Sequence, residues 1–217
     1  MLAEIEKKQL KRGIIIALEG IDGAGKTTQA VLLYEKLKKS GYPVILLHEP
    51  TSGKWGKKIA ELAKYGRDKI EAKTEFEFFY HDRIEDVEKN IEPSLKEKEI
   101  VVMDRYYFSS VAYQGARGLD PKIIEKENEK IAPKPDIAII LDLSAEVALS
   151  RITKKRNSEP NHFEKTKYLE KVRDIFLKIY ENCPNAKIVK GDDTRTIEDI
   201  ASEIWEIVYK IVSNEEI

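Results

Sequence analysis

Residues 14–28 read Ile-Ile-Ile-Ala-Leu-Glu-Gly-Ile-Asp-Gly-Ala-Gly-Lys-Thr-Thr, an apolar run that passes straight into a glycine-rich turn. Gly20, Gly25, Lys26 and Thr27 fit the pattern G-x-x-x-x-G-K-[ST], and a helix-period segment, Gln29 to Lys39, follows. Glycines let successive backbone N–H groups converge on phosphate oxygens. The lysine brings a mobile positive charge to the outer phosphates, and the threonine hydroxyl is a hard ligand suited to magnesium. Strand, cradle and helix in that order predict a phosphate site at the head of the first β-strand.

Outward from this stretch, short β-branched runs recur at Pro43 to Leu47, Ile100 to Met103, Ile137 to Leu141 and Ala186 to Val189, with helix-period segments between them. Strands alternating with helices imply a parallel sheet, and strands apolar at nearly every position imply cover on both faces. The expected fold is α/β, a three-layer sandwich with a five-stranded parallel sheet between helices. A chain of 217 residues suits one domain, 1–217, with residues 1–12 as a charged N-terminal extension.

The 38 basic and 39 acidic side chains nearly cancel, so no net field draws the molecule to nucleic acid or to an anionic membrane. A single cysteine, Cys183, excludes an internal disulfide framework and any multi-cysteine zinc site, which fits a reducing compartment. The first dozen residues lack the apolar core of a secretory signal, and no run approaches the roughly 18 apolar residues that cross a bilayer. A cytoplasmic setting is expected.

In open sheets of this kind ligands gather beyond the carboxyl ends of the strands. Polar residues cluster there: the glycine-rich loop after the first strand, His48-Glu49-Pro50 after the second, Asp104-Arg105-Tyr106 after the third. After the fourth come Asp142 and a helix running into Arg151, Lys154, Lys155 and Arg156, a basic segment placed to close over a triphosphate as a lid at about 152–164. Asp22 is repelled by phosphates and should point out of the cradle, toward a hydroxyl of an acceptor.

The segment Ala72 to Ile91, projected as a helix, lines up Phe76, Phe79, Tyr80, Ile84, Val87 and Ile91 in one stripe with Arg83 in its middle. A guanidinium among rings needs anionic or hydrogen-bonded partners. It either clamps a ligand or pairs with an internal carboxylate such as Asp104. Phe79, one turn earlier, is placed to offer its face to a planar ring. Asp104 is the natural carboxylate for a magnesium-bound water, and Arg105 can fork onto phosphate oxygens. Tyr106, Ser109, Ser110 and Tyr113 recur at helical spacing and should present a polar, ring-bearing face to the same rim. His48, His81 and His162 are scattered and read as surface or packing residues.

Together, E-G-I-D-G-A-G-K-T-T-Q, E-P, F-x-x-x-R at 79–83, D-R-Y-Y-F-S-S-V-A-Y-Q-G at 104–115 and P-D-I-A-I-I-L-D-L resemble the thymidylate kinase family over nearly the whole chain. The resemblance implies a P-loop NTPase fold, transfer of the γ-phosphoryl of ATP to dTMP with Mg²⁺, a place in dTTP biosynthesis, and a homodimer formed through helices beside the sheet. By position, Gly20, Asp22, Gly23, Ala24, Gly25, Lys26, Thr27 and Thr28 would hold the ATP phosphates, with Thr27 and Asp104 toward magnesium, partly through water. Phe79 would stack on thymine, Arg83 would bond its exocyclic oxygen, Arg105 would hold the acceptor phosphate and Asp22 would meet the 3′-hydroxyl. Tyr113 would stand where a 2′-hydroxyl would be, with Ser110, Gln114 and Glu49 around the base and sugar. Lys26, Arg105, Arg151 and Asp104 would carry the chemistry.

The chain departs from the family pattern in two places, and its phosphate loop is of the type that carries a glycine at position 23. His48-Glu49-Pro50-Thr51-Ser52-Gly53 stands where R-E-P-G-G-T is usual, Asn161-His162-Phe163-Glu164 where D-R-F-E is common, and Gly23 where some relatives carry an arginine. The last transfers the need for a transition-state cation to the lid, where Arg151 and Arg156 are candidates. A kinase of another (deoxy)nucleoside monophosphate, or an NTP-binding switch, are the alternative readings of the same residues.

Overall fold

The structure, a computed structural model, describes residues 7–66, 69–156, 162–192 and 194–217. The five apolar runs form strands β1 Ile14–Glu19, β2 Val44–His48, β3 Ile100–Asp104, β4 Ile137–Asp142 and β5 Ala186–Lys190. All pair in parallel in the order β2-β3-β1-β4-β5. Each strand runs one residue beyond its apolar run, so it ends on a polar residue: Glu19, His48, Asp104, Asp142, Lys190. The register sets Asp104 beside both Leu18 and His48, which brings these polar ends to one edge of the sheet. β1 is buried at every position, as a central strand covered on both faces must be.

The helices are α1 Lys26–Lys39, α2 Lys54–Tyr65, α3 Ala72–Asp86, α4 Glu92–Lys96, α5 Tyr107–Ala116, α6 Pro121–Glu129, α7 Ala145–Arg156, α8 His162–Asn182 and α9 Ile197–Val212. α1 and α9 pack on each other and on the sheet; α8 lies on β4 and β5, and α5 joins α8 to α6 and α3. α9 buries Ile200, Ile204, Val208 and Val212, one residue per turn, and Thr196 and Asp199 exchange side-chain-to-backbone bonds in a capping box at its start. Among the described residues, no helix is long and apolar enough to cross a membrane.

Ala72 to Ile91 is helical throughout, and Arg83, Val87 and Ile91 of the expected stripe are buried, but its aromatic members are only half-buried and acidic residues share the inner face. The α-helical turns give way at Val87–Ile91 to a wider π turn, and the side chains buried along α3 are Glu75, Asp82, Arg83 and Asp86, with Phe76, Phe79 and Tyr80 half-buried. The reason lies on other elements. Gln114 and Arg117 donate to Glu75, and the Thr51 N–H and hydroxyl both donate to Asp82 at 2.7 Å, so the polar face is the one with partners.

The described part of the charged N-terminal stretch is tied to the carboxyl-terminal residues. Lys11 N–H donates to the Glu215 carbonyl at 2.7 Å, Ile217 N–H to the Gln9 carbonyl at 3.1 Å, and Leu10 is buried in the core. Lys8 and Tyr42 both donate to the Glu216 carboxylate.

Candidate active site

Two cavities open at the carboxyl edge of the sheet. One, of 610 Å³, is lined by Gly23, Gly25, Lys26, Thr27, Thr28, Asp104 and Arg151. The other, of 440 Å³, is lined by Phe79, Arg83, Ser109, Ser110, Tyr113 and Gln114. They meet: Asp22, Glu49, Pro50 and Arg105 line both.

The first cavity is a cradle built by close approach. Gly23 sits at φ +85°, and a Cβ there would lie 2.5 Å from the Ala148 carbonyl oxygen, so no side chain fits between the loop and α7. Gly20, at φ +134°, lies under the same constraint against Leu141. Gly20 and the buried Ala24 shape the turn without lining the cavity. Lys26 is buried, donates to the Ile21 carbonyl at 2.8 Å, and is pushed down to about 7, first by burial and then by the charge of Arg105. An anion in the cradle would restore its charge. The Thr27 hydroxyl donates to Asp104 at 2.6 Å, so a hydroxyl and a carboxylate oxygen converge on the cradle floor. Hard oxygen donors of this kind suit magnesium, which takes few protein ligands beside water and phosphate. Among the described residues no group of three His, Cys, Asp or Glu side chains is placed to hold a metal.

Between the cavities stands Arg105. Its Nη1 donates to Ser109 Oγ at 3.0 Å and its Nη2 to Asp22 and, at 3.4 Å, to Tyr113 Oη. Burial disfavours its charge, but Tyr113 and Asp22 outweigh that and keep it a cation. The Asp22 carboxylate thus accepts from Arg105 at the wall the two cavities share, and the Asp22 N–H donates to the Tyr113 hydroxyl at 2.8 Å. Tyr106, Ser109, Ser110 and Tyr113 all face the second cavity, as their spacing predicts.

Arg83 is 1% exposed, and its internal carboxylate is Glu49, not Asp104. Nε donates to both Glu49 oxygens, at 3.2 and 2.9 Å, and Nη2 adds a second arm of the fork. Asn128 accepts from Nη1, and Ser110 Oγ accepts from both terminal nitrogens at 3.3 and 3.4 Å. All five donors are therefore engaged, the two Ser110 bonds being the longest. Burial pushes Glu49 up to about 7 against the pull of Arg83, with Asp86 and Asp82 adding to the rise. Phe79 lines the cavity wall, half-buried.

Arg151 reaches the first cavity from α7 and donates to the Gly191 carbonyl at 3.3 Å. Lys154 is exposed on α7 and lines neither cavity. The side chains of Lys155, Arg156, His162, Phe163 and Glu164, and residues 157–161, lie outside the described part of the lid segment. Three residues of the site went unread in the sequence. Asn128 and Lys165, the latter on the wall of the second cavity, carry no local pattern; Glu19 was visible only as a carboxylate at the end of an apolar run.

The chain matches the family described as Thymidylate kinase over residues 18–204. It is 46% identical over 195 residues to a probable thymidylate kinase of Archaeoglobus fulgidus, covering 90% of this chain and 94% of the relative. It is 44% identical over 202 residues to a probable thymidylate kinase of Pyrococcus horikoshii, covering 91% and 96%. Among solved structures, thymidylate kinase from Ehrlichia chaffeensis superposes with a TM-score of 0.71 at 29% identity, covering 92% of this chain and 98% of that one.

Proposed function

The chain belongs to the thymidylate kinase family and is a kinase that transfers the γ-phosphoryl of ATP to dTMP, and we propose that the two cavities meeting at Asp22 and Arg105 are its donor and acceptor sites. The observation that carries this reading is their shared wall, because phosphoryl transfer needs two phosphates end to end with cations between them. The ATP phosphates lie in the cradle under Lys26, and dTMP lies in the second cavity with its phosphate on Arg105. Thymine rests on Phe79, and its exocyclic oxygen takes the place of Ser110 in the two longest bonds of Arg83. Tyr113 closes the position of a 2′-hydroxyl, and Asp22 receives the 3′-hydroxyl.

An acceptor phosphate is mostly dianionic at neutral pH, so one of its oxygens attacks the γ-phosphorus in line without a general base. Lys26 and Arg105 hold the charge that spreads over the transferring group, and Arg151 adds to it from the lid. Thr27 and Asp104 would hold Mg²⁺, partly through water, where it would neutralise further phosphate charge. A homodimer and a cytoplasmic setting belong to the same reading, carried by the family resemblance.

The test is ADP formation from Mg-ATP with dTMP, dUMP, dCMP, dGMP, AMP and UMP in turn, and with no acceptor. Turnover should be greatest with dTMP and near background without acceptor. Preference for AMP or UMP would reject the acceptor assignment, and phosphate release without acceptor would favour a switch.

A further inference from the structure

We propose that Glu19 is a positioning residue that sets Arg105 for the acceptor phosphate, acting through Ser109; this rests on the assignment of Arg105 to that phosphate. Glu19 ends β1, immediately before the loop, with no exposed surface, and it lines neither cavity. A buried carboxylate away from the nucleotides has some other duty, and its partners show which. Its Oε1 accepts the Tyr106 N–H at 2.9 Å and the Ser109 N–H at 3.2 Å; its Oε2 accepts the Ser109 hydroxyl at 2.5 Å. The same Ser109 oxygen accepts from Arg105 Nη1 at 3.0 Å.

Arg105 needs such support. It sits at φ +71°, in the left-handed region that residues other than glycine seldom adopt. The end of β1 holds it there from both sides: its own N–H donates to the Leu18 carbonyl at 3.0 Å, and the next N–H along the chain donates to Glu19. One strand end thus fixes the backbone of Arg105, directs its guanidinium through Ser109, and continues into the phosphate cradle at Gly20. Donor cradle and acceptor arginine share one rigid reference, which is what in-line transfer requires of groups that must meet within a fraction of an ångström.

The experiment is steady-state kinetics of Glu19→Gln, Ser109→Ala, Arg105→Ala and the Ser109→Ala/Arg105→Ala double variant, each with its melting temperature. Gln keeps one acceptor oxygen for the two backbone N–H groups but reverses or loses the bond to Ser109. Ser109→Ala leaves both Glu19 backbone bonds in place and serves if the Glu19 variant fails to fold. Glu19→Gln and Ser109→Ala should each raise KM for dTMP about tenfold, equivalent to about 1.4 kcal/mol, with KM for ATP within about twofold of the parent. The Ser109→Ala effect should vanish in the Arg105→Ala background. A fall in melting temperature with both KM values unchanged, or an equal rise in both, would reduce Glu19 to a brace for α5 and overturn the proposal, as would a Ser109→Ala effect that persists without Arg105. If Arg105→Ala leaves KM for dTMP unchanged, the acceptor-site assignment itself fails; if it raises KM and the other two do not, only the positioning role fails.

Discussion

Two buried cations face the nucleotide site, and their surroundings differ. Arg83 has every donor engaged by Glu49, Ser110 and Asn128, whereas Lys26 rests on a single carbonyl, and burial disfavours its charge. Removing one partner of a buried ion pair strands the other charge, so Glu49→Gln should lower unfolding free energy by about 3 kcal/mol in urea titration at pH 7.5. No change there would mean that Ser110 and Asn128 suffice for Arg83. Arg83→Ala, by contrast, should raise KM for dTMP far more than KM for ATP; equal loss of both would make Arg83 purely structural. Glu19 carries a pH signature. Burial raises it from 4.5 to about 7, so the folded protein binds this proton more tightly than the unfolded chain does. Its contribution is present at low pH and is lost as pH rises from about 4.5 to 7, a change of about 3 kcal/mol at 1.36 kcal/mol per pH unit. Unfolding free energies of the parent and Glu19→Gln, measured from pH 5 to 8, should therefore diverge in that window, the parent falling more steeply. Parallel curves would mean that Glu19 is ionised throughout. The sequence marked Arg83 as a residue in need of partners. It gave no means of choosing Glu49, 34 positions away, over Asp104, because that choice depends on how α3 is rotated over the β2 loop.

At the scale of elements, the phosphate loop and α7 behave as one body. The Ala148 carbonyl leaves no room for a side chain at position 23, so Gly23→Ala should push α7 and Arg151 away from the cradle. KM for ATP should rise at least about tenfold, a loss of about 1.4 kcal/mol, with KM for dTMP nearly unchanged; an unaltered KM for ATP would show that loop and helix separate easily. The contact also gives a steric reason why this chain carries no arginine at that position. Strands were legible to within a residue because parallel central strands are apolar along their whole length. The buried face of α3 was misread in part, for the opposite reason. Glu75 and Asp82 look like a solvent face in any periodicity argument, and become an inner face only because Thr51, Gln114 and Arg117 arrive from elsewhere with matching bonds.

Over the whole molecule, stability and chemistry sit at different places. Residues 7–12 and 213–217 clasp each other beside the first strand, and none of them lines either cavity. Deleting 213–217 removes two backbone bonds and the Glu215 and Glu216 contacts with Arg12, Lys8 and Tyr42. At about 1 kcal/mol per net hydrogen bond and partial screening of the exposed pairs, a loss of about 2 kcal/mol is expected, or roughly 4–8 °C in melting temperature. KM for both substrates should stay unchanged, and a shift in either would tie the clasp to the site. The five strands, the cradle and the run of polar residues at the strand ends were readable from one dimension, because each depends on residues adjacent in the chain. Three things were settled only by the folded arrangement: which carboxylate neutralises Arg83, that Glu19 and Arg105 meet on the Ser109 hydroxyl, and that two cavities share the wall of Asp22 and Arg105. All three join groups separated by tens of residues, and a sequence holds no distances between such groups until packing and strand register bring them together.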